Sequence, residues 1–155
     1  QTLPVDPHAL DKLDIHIHSL RGGIGKDGRS AGLAFCTALI SALTQRPFNH
    51  LYAMTGEIDL RGNALGIGGL AEKTDGARRD GARYVLAPEE NRLDFESTKE
   101  RPEGIEVIFV RHISEVLSRV LLPQVENPIF LVGRDAVTSS EPDEAPSSPV
   151  LIPVS

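Results

Sequence analysis

Between Ser30 and Thr44 the chain reads SAGLAFCTALISALT, and a helix built from these residues is apolar on almost every side. Such a helix has no face to give to water, so it is stable only when other elements cover it. The fold must therefore wrap sheet and further helices around this segment. The chain has 155 residues, enough for one domain with a core and too few for two comfortable ones. Tryptophan is absent and aromatic residues are 5%, so that core rests on Leu, Ile, Val and Ala.

The remaining elements follow from pattern. LDIHIHS (13–19) alternates apolar and polar residues, the period of a half-buried strand. A loop rich in glycine (Gly22, Gly23, Gly25, Gly28) precedes the helix of about 30–44, which ends before Pro47. LYAMT (51–55) reads as a buried strand. EIDLRGNALGI (57–67) reads as a hairpin turning at Arg61-Gly62-Asn63. Gly68 and Gly69 open a helix to about Arg79, and ARYVLAP (82–88) and IEVIFV (105–110) are further strands. HISEVLSRVLL (112–122) puts Ile113, Val116, Leu117, Val120 and Leu121 on one helical face. Together these predict one α+β domain over 1–122, a mixed sheet packed against helices starting near 30, 69 and 112. After Leu122 the composition changes. PIFLVG (128–133) reads as an edge strand, TSSEPDEAPSSP (138–149) has a disordered composition, and PVLIPVS reads as a frayed end, so 123–155 is a tail.

Several function classes are excluded. A net charge of −6 opposes nucleic-acid binding, which needs clustered Lys and Arg. No run is long enough to span a membrane, and QTLPVDPHALDKLDIHIH lacks a signal-peptide pattern. The single cysteine, Cys36, lies inside the apolar helix and fits a reducing, intracellular compartment. RGGIGKDGRS has the wrong glycine spacing for a phosphate loop, and Asp27 stands where magnesium needs Ser or Thr. GNALGIGG lies in a hairpin rather than at a strand-to-helix turn, so it is no dinucleotide fingerprint. His16 and His18 share a strand face, but no further ligands accompany them, so neither a metal nor a cofactor is expected in this chain.

Ser30 at a helix start and Lys73 in the first turns of another helix remain. Free N–H groups at a helix start can hold an oxyanion, and a neutral lysine can take a serine proton. The helix dipole at Gly68-Gly69 disfavours an ammonium at Lys73, with Leu70 and Ile67 as apolar walls. The plain readings are a helix cap for Ser30 and a solvated surface residue for Lys73.

KDGRSAG followed by AMTGEIDLRGNALGIGGLAEK resembles the proteolytic domain of the Lon family, the ATP-dependent Ser-Lys peptidases. The family runs P-K-D-G-P-S-A-G around its serine and T-G-E-I-x-L-R-G-x-V-x-P-I-G-G-L-K-E-K around its lysine, which map to Ser30 and Lys73 without a gap. DIHIH, GARRDGARYVLAPEENRLDFE and VRHISEVLSRVL extend the likeness over about 9–122. The resemblance implies a fold related to the second domain of a small ribosomal subunit protein. It also implies a serine endopeptidase of unfolded or damaged proteins, with Ser30 as nucleophile and Lys73 as general base. Thr55 would orient Lys73, and the N–H groups of Ser30 and Gly28 would form the oxyanion hole. Asp27 and His18 match polar residues near the family's site, and Glu57 reads as structural. ATP and magnesium would act only through an ATPase module of the AAA+ type outside this chain. A hexameric ring is implied, placed in cytoplasm, mitochondrial matrix or peroxisome. The departures are Arg29 for the family's proline, Gly66 for the proline of P-I-G-G, Ala71 for a lysine, and Asp75-Gly76 inside the helix after Lys73. They imply a divergent domain, and because the family's domain normally begins upstream of residue 1, the resemblance also implies one shortened on its N-terminal side. The alternative is a catalytically silent Lon-fold module for assembly or binding.

Overall fold

Tyr84-Val85-Leu86-Ala87-Pro88 offers almost nothing polar to water, and this stretch becomes the central strand of the molecule. The computed structural model describes residues 14–19, 29–99, 101–124 and 153–154. Its strands are β1 (His18–Ser19), β2 (Tyr52–Met54), β3 (Glu57–Ile58), β4 (Ala64–Leu65), β5 (Tyr84–Pro88), β6 (Glu106–Val110) and β7 (Pro153–Val154). Its helices are α1 (Gly32–Thr44), α2 (Leu70–Arg79), α3 (Arg92–Ser97) and α4 (Ile113–Val120), with 3-10 turns at Arg29–Ala31 and Glu89–Asn91.

β5 lies between β2 and β6, parallel to both, with Tyr52 opposite Tyr84 and Tyr84 opposite Glu106. Parallel strands need covered crossovers, so their sheets are buried on both faces. That is how β5 is used. Leu86 faces a cluster with Leu33 of α1 and Val116 and Val120 of α4, joined by Ala64 and Val110. Val85 and Ala87 face the other way, onto Leu70 and Ala77 of α2 and Phe95 of α3. The result is a sheet between two helical layers. β3 and β4 form the expected antiparallel hairpin beside it. β7 pairs parallel with β1, His18 opposite Pro153, so the C-terminal stretch carries a two-residue strand. The edge strand expected over 128–133 and the Pro-, Ser- and acid-rich stretch lie outside the described residues.

Two expectations change. α1 buries only the stripe Leu33, Thr37 and Ser41, one residue per turn against the sheet. Phe35, Cys36 and Leu39 stay half-buried, so the helix is less enclosed than its composition implied. Burial still raises the Cys36 thiol pKa above its ordinary value. Of the strand expected over 13–19, the described residues 14–19 show strand geometry only at His18–Ser19, and Ile15 and Ile17 keep 49% and 50% of their surface exposed.

Element ends have local causes. α1 stops at Gln45, which takes the left-handed conformation (φ 52°) ahead of Pro47 and donates its N–H to the Ala42 carbonyl at 3.2 Å. α4 is capped by a histidine: His112 Nδ1 accepts the Ser114 N–H at 3.1 Å, while Nε2 meets the Arg61 carbonyl at 3.0 Å. α2 tolerates Asp75 because its carboxylate takes Arg78 at 2.9 Å and Arg79 at 2.6 Å, one helical turn on. These partners, Arg78 first, hold the Asp75 carboxyl below its usual pKa.

The hairpin turn is held by Asp59, whose Oδ1 accepts the Arg61 and Asn63 N–H groups at 2.8 Å and whose Oδ2 accepts the Asn63 amide, also at 2.8 Å. The Asn63 side chain is the main reason the Asp59 carboxyl lies below its ordinary pKa. A depressed carboxylate stabilises the fold above its unfolded-state pKa and loses that contribution as pH falls through its folded-state value. Amide resonances of Arg61 and Asn63 are therefore expected to stay fixed on acidification until the pH is below the ordinary aspartate value of about 3.9. In the core, Leu86→Ala is expected to lower unfolding free energy in a urea melt by about 2–5 kcal/mol.

Candidate active site

Ser30 is the middle residue of the 3-10 turn ahead of α1 and is half-buried. It is not the helix cap, because that place belongs to Ala31 and no side chain makes a capping bond there. Its backbone is anchored instead. The Ser30 carbonyl accepts the Gly56 N–H at 2.8 Å and the Thr55 hydroxyl at 3.3 Å. Leu33 then donates its N–H to the Gly56 carbonyl at 3.1 Å, so the start of α1 is fastened to the β2–β3 junction by its main chain.

Glycine makes that approach possible. A Cβ on Gly32 would stand 3.0 Å from both the backbone N and Cγ2 of Ile58, and one on Gly56 would stand 2.5 Å from Leu33 Cδ1. Arg29, where the quoted pattern has proline, reaches Glu57 at 3.1 Å. The arginine is 84% exposed, so the pair adds little stability, yet it gives both charges a partner.

Lys73 lies in the first turn of α2, exposed, and its Nζ donates to the Gly68 carbonyl at 2.5 Å. The apolar walls expected around it are used elsewhere. Leu70 is buried against Val85 and Ala87, with Ile67 packed on the same cluster. The inward stripe of α2 is Leu70, Thr74 and Ala77, and Lys73 falls beside it. Thr55 is buried, but its hydroxyl turns to the Ser30 carbonyl rather than to Lys73. The structure thus joins Thr55 to Ser30 and holds Lys73 on the loop at the foot of its own helix. Asp27, Gly28 and the His18 side chain lie outside the described residues.

Pattern reading passed over Glu90 and Asn91, whose side chains grip the loop 66–69 that leads to Lys73. Asn91 is buried, and buried amides are nearly always bonded to something specific, but that burial is visible only in the folded chain. Among the described residues no three His, Cys, Asp or Glu side chains group as a metal site. No helix there is long and apolar enough to cross a membrane.

The family described as "Lon protease (S16) C-terminal proteolytic domain" matches residues 1–123. The chain belongs to the Lon proteolytic-domain family. It is 47% identical over 122 residues to the Lon protease of Desulfatibacillum aliphaticivorans, covering 78% of this chain and 15% of that protein. Lon protease 1 of Bacillus subtilis (strain 168) is 46% identical over 123 residues, 79% of this chain and 16% of that protein. The Lon protease of Roseiflexus castenholzii is 50% identical over 115 residues, 74% of this chain and 14% of that protein. The chain therefore spans 14–16% of the length of these Lon relatives.

Within this Lon domain, Gly32→Ala is expected to push α1 off the hairpin. Overpacking of this kind costs about 1–3 kcal/mol, read as a lower midpoint in a urea melt. The amide resonances of Ser30 and Gly56 should shift with it.

Proposed function

We propose that this chain is the peptide-cleaving part of a Lon-type serine protease, with Ser30 as nucleophile and Lys73 as general base. The observation that supports it best is the seat of Ser30. In a Lon-family chain, its carbonyl is held by the Gly56 N–H and the Thr55 hydroxyl, so the turn that carries its hydroxyl is anchored on both donors.

The chemistry runs as acyl transfer. Neutral Lys73 takes the Ser30 proton as Oγ attacks the substrate carbonyl, and the resulting lysinium gives that proton to the leaving amine. Water then releases the acyl group with Lys73 again as base. A neutral amine has two N–H bonds and one lone pair. It can donate to the Gly68 carbonyl and still offer the lone pair to Ser30, so the observed contact orients the base without consuming it. N–H groups at the Ser30 turn would stabilise the oxyanion. Thr55 acts on the serine side, by fixing the turn. Unfolded or damaged proteins are the proposed substrates. ATP and magnesium enter through an ATPase module, on the same polypeptide or a partner, and assembly is a ring of like chains.

A silent Lon-fold module is the second reading. It is favoured by the exposure of Lys73 and its engagement with Gly68. Intact mass after incubation with a sulfonyl fluoride separates the two. The peptidase reading expects one adduct on the wild type, none on Ser30→Ala, and labelling about 10²–10⁴-fold slower on Lys73→Ala. A folded wild type that takes no adduct, alone or joined to an ATPase module, supports the silent module.

A further inference from the structure

The loop Gly66–Gly69 has little stiffness of its own. A Cβ on Gly68 would meet nothing within 4 Å, and Gly69 sits at a left-handed φ of 68°. Two successive glycines leave the backbone free to turn unless something outside holds it. Two side chains of the turn Glu89–Asn91 do so. Glu90 Oε2 accepts the Gly66 N–H at 2.6 Å. Asn91 brackets the next residue, its Oδ1 accepting the Ile67 N–H at 3.0 Å and its Nδ2 donating to the Ile67 carbonyl at 2.6 Å. The following carbonyl, that of Gly68, is the one that holds Lys73 Nζ.

We propose that Glu90 and Asn91 are positioning residues for Lys73, acting through the Gly66–Gly68 backbone to aim the carbonyl that orients its amine. This rests on the reading of Lys73 as general base. Holding one residue through both its N–H and its C=O pins the two peptide planes that flank it, 66–67 and 67–68. That is what a direction-setting acceptor one residue away requires. Asn91 is itself buried, and Glu89 and Arg92 beside it are paired at 2.6 Å, so the gripping turn is anchored. Gly66 gives the arrangement its logic. At this position the quoted Lon pattern has proline, whose ring fixes φ and removes the N–H. Here the N–H is kept and Glu90 takes it, so a hydrogen bond supplies the restraint a ring would supply. φ of Gly66 is not in the left-handed region, so a ring is not excluded on that ground.

The test follows two readouts in the 155-residue chain: the Lys73 Cε–Hε resonance by NMR, and the rate of Ser30 labelling by a sulfonyl fluoride. Glu90→Ala is expected to move the Lys73 resonance and slow labelling about tenfold or more, since small misplacements of catalytic groups cost up to about 10²-fold. Glu90→Gln keeps an acceptor oxygen and is expected to recover most of both. The double variant Gly66→Pro with Glu90→Ala should recover both as well, because the ring replaces the lost bond. Asn91→Ala should have the larger effect. If it fails to fold, the exposed Glu90 series carries the test alone. An unchanged Lys73 resonance in folded Glu90→Ala overturns the proposal, as does a double variant no better than Glu90→Ala. A Lys73 resonance that moves in Glu90→Ala while the wild type never labels would sink the base reading and leave the positioning intact. Labelling that depends on Lys73, with resonances indifferent to Glu90, would do the reverse.

Discussion

One backbone oxygen ties the molecule together. The Ser30 carbonyl accepts two donors from the β2–β3 junction, and Gly32 and Gly56 give the approach room, since a Cβ on either would crowd Ile58 or Leu33. With the helix start seated there, Leu33 points into the cluster around Leu86, and α4 closes over the same cluster through Val116 and Val120. None of these bonds uses the side chain of residue 29, so the seat tolerates an arginine there where the quoted pattern has proline. Packing of the first core layer and presentation of the serine are thus consequences of a single close approach.

The opposite helical layer is organised differently. Here the backbone is pinned by side chains: Glu90 and Asn91 on the loop before α2, and Arg92 between Glu89 and Glu96 with its guanidinium 4.5 Å over the Phe109 ring. Phe95 meets the same ring edge-on at 6.1 Å. Charged and amide groups do structural work on this side beside its apolar cluster, and not every apolar side chain of α3 joins that cluster. Leu93, for example, is 79% exposed.

What the sequence revealed of this architecture depended on how local each cause was. The hairpin, α2, α4 and the parallel strands were legible because periodicity and glycine turns are written within a few residues of each element. The helix α3 was missed because RLDFES contributes only Phe95 to the core and is held by ion pairs that no apolar period records. Ser30 and Lys73 stood out only as a pair at a fixed interval. The turning of Thr55 toward the serine carbonyl, and the grip of Asn91 on Ile67, are contacts across 25 and 24 residues of chain. Long-range geometry of that kind has no signature in composition or spacing. The apolar character of 30–44 overstated the burial of α1 for a related reason. Composition says a helix needs cover, and not how much cover its neighbours provide.

The stacked pair Tyr52 and Tyr84, with ring centroids 4.7 Å apart, gives the protein an optical identity. These are its only two tyrosines, and it has no tryptophan. Nearly all near-ultraviolet absorption and emission therefore arises from two rings held face to face across the β2–β5 pairing. Chromophores so close share their excitation, which produces paired circular-dichroism bands of opposite sign and altered emission. Light thus interrogates one strand junction: the signal is present when β2 lies in register against β5, and collapses to that of two independent phenols once they part.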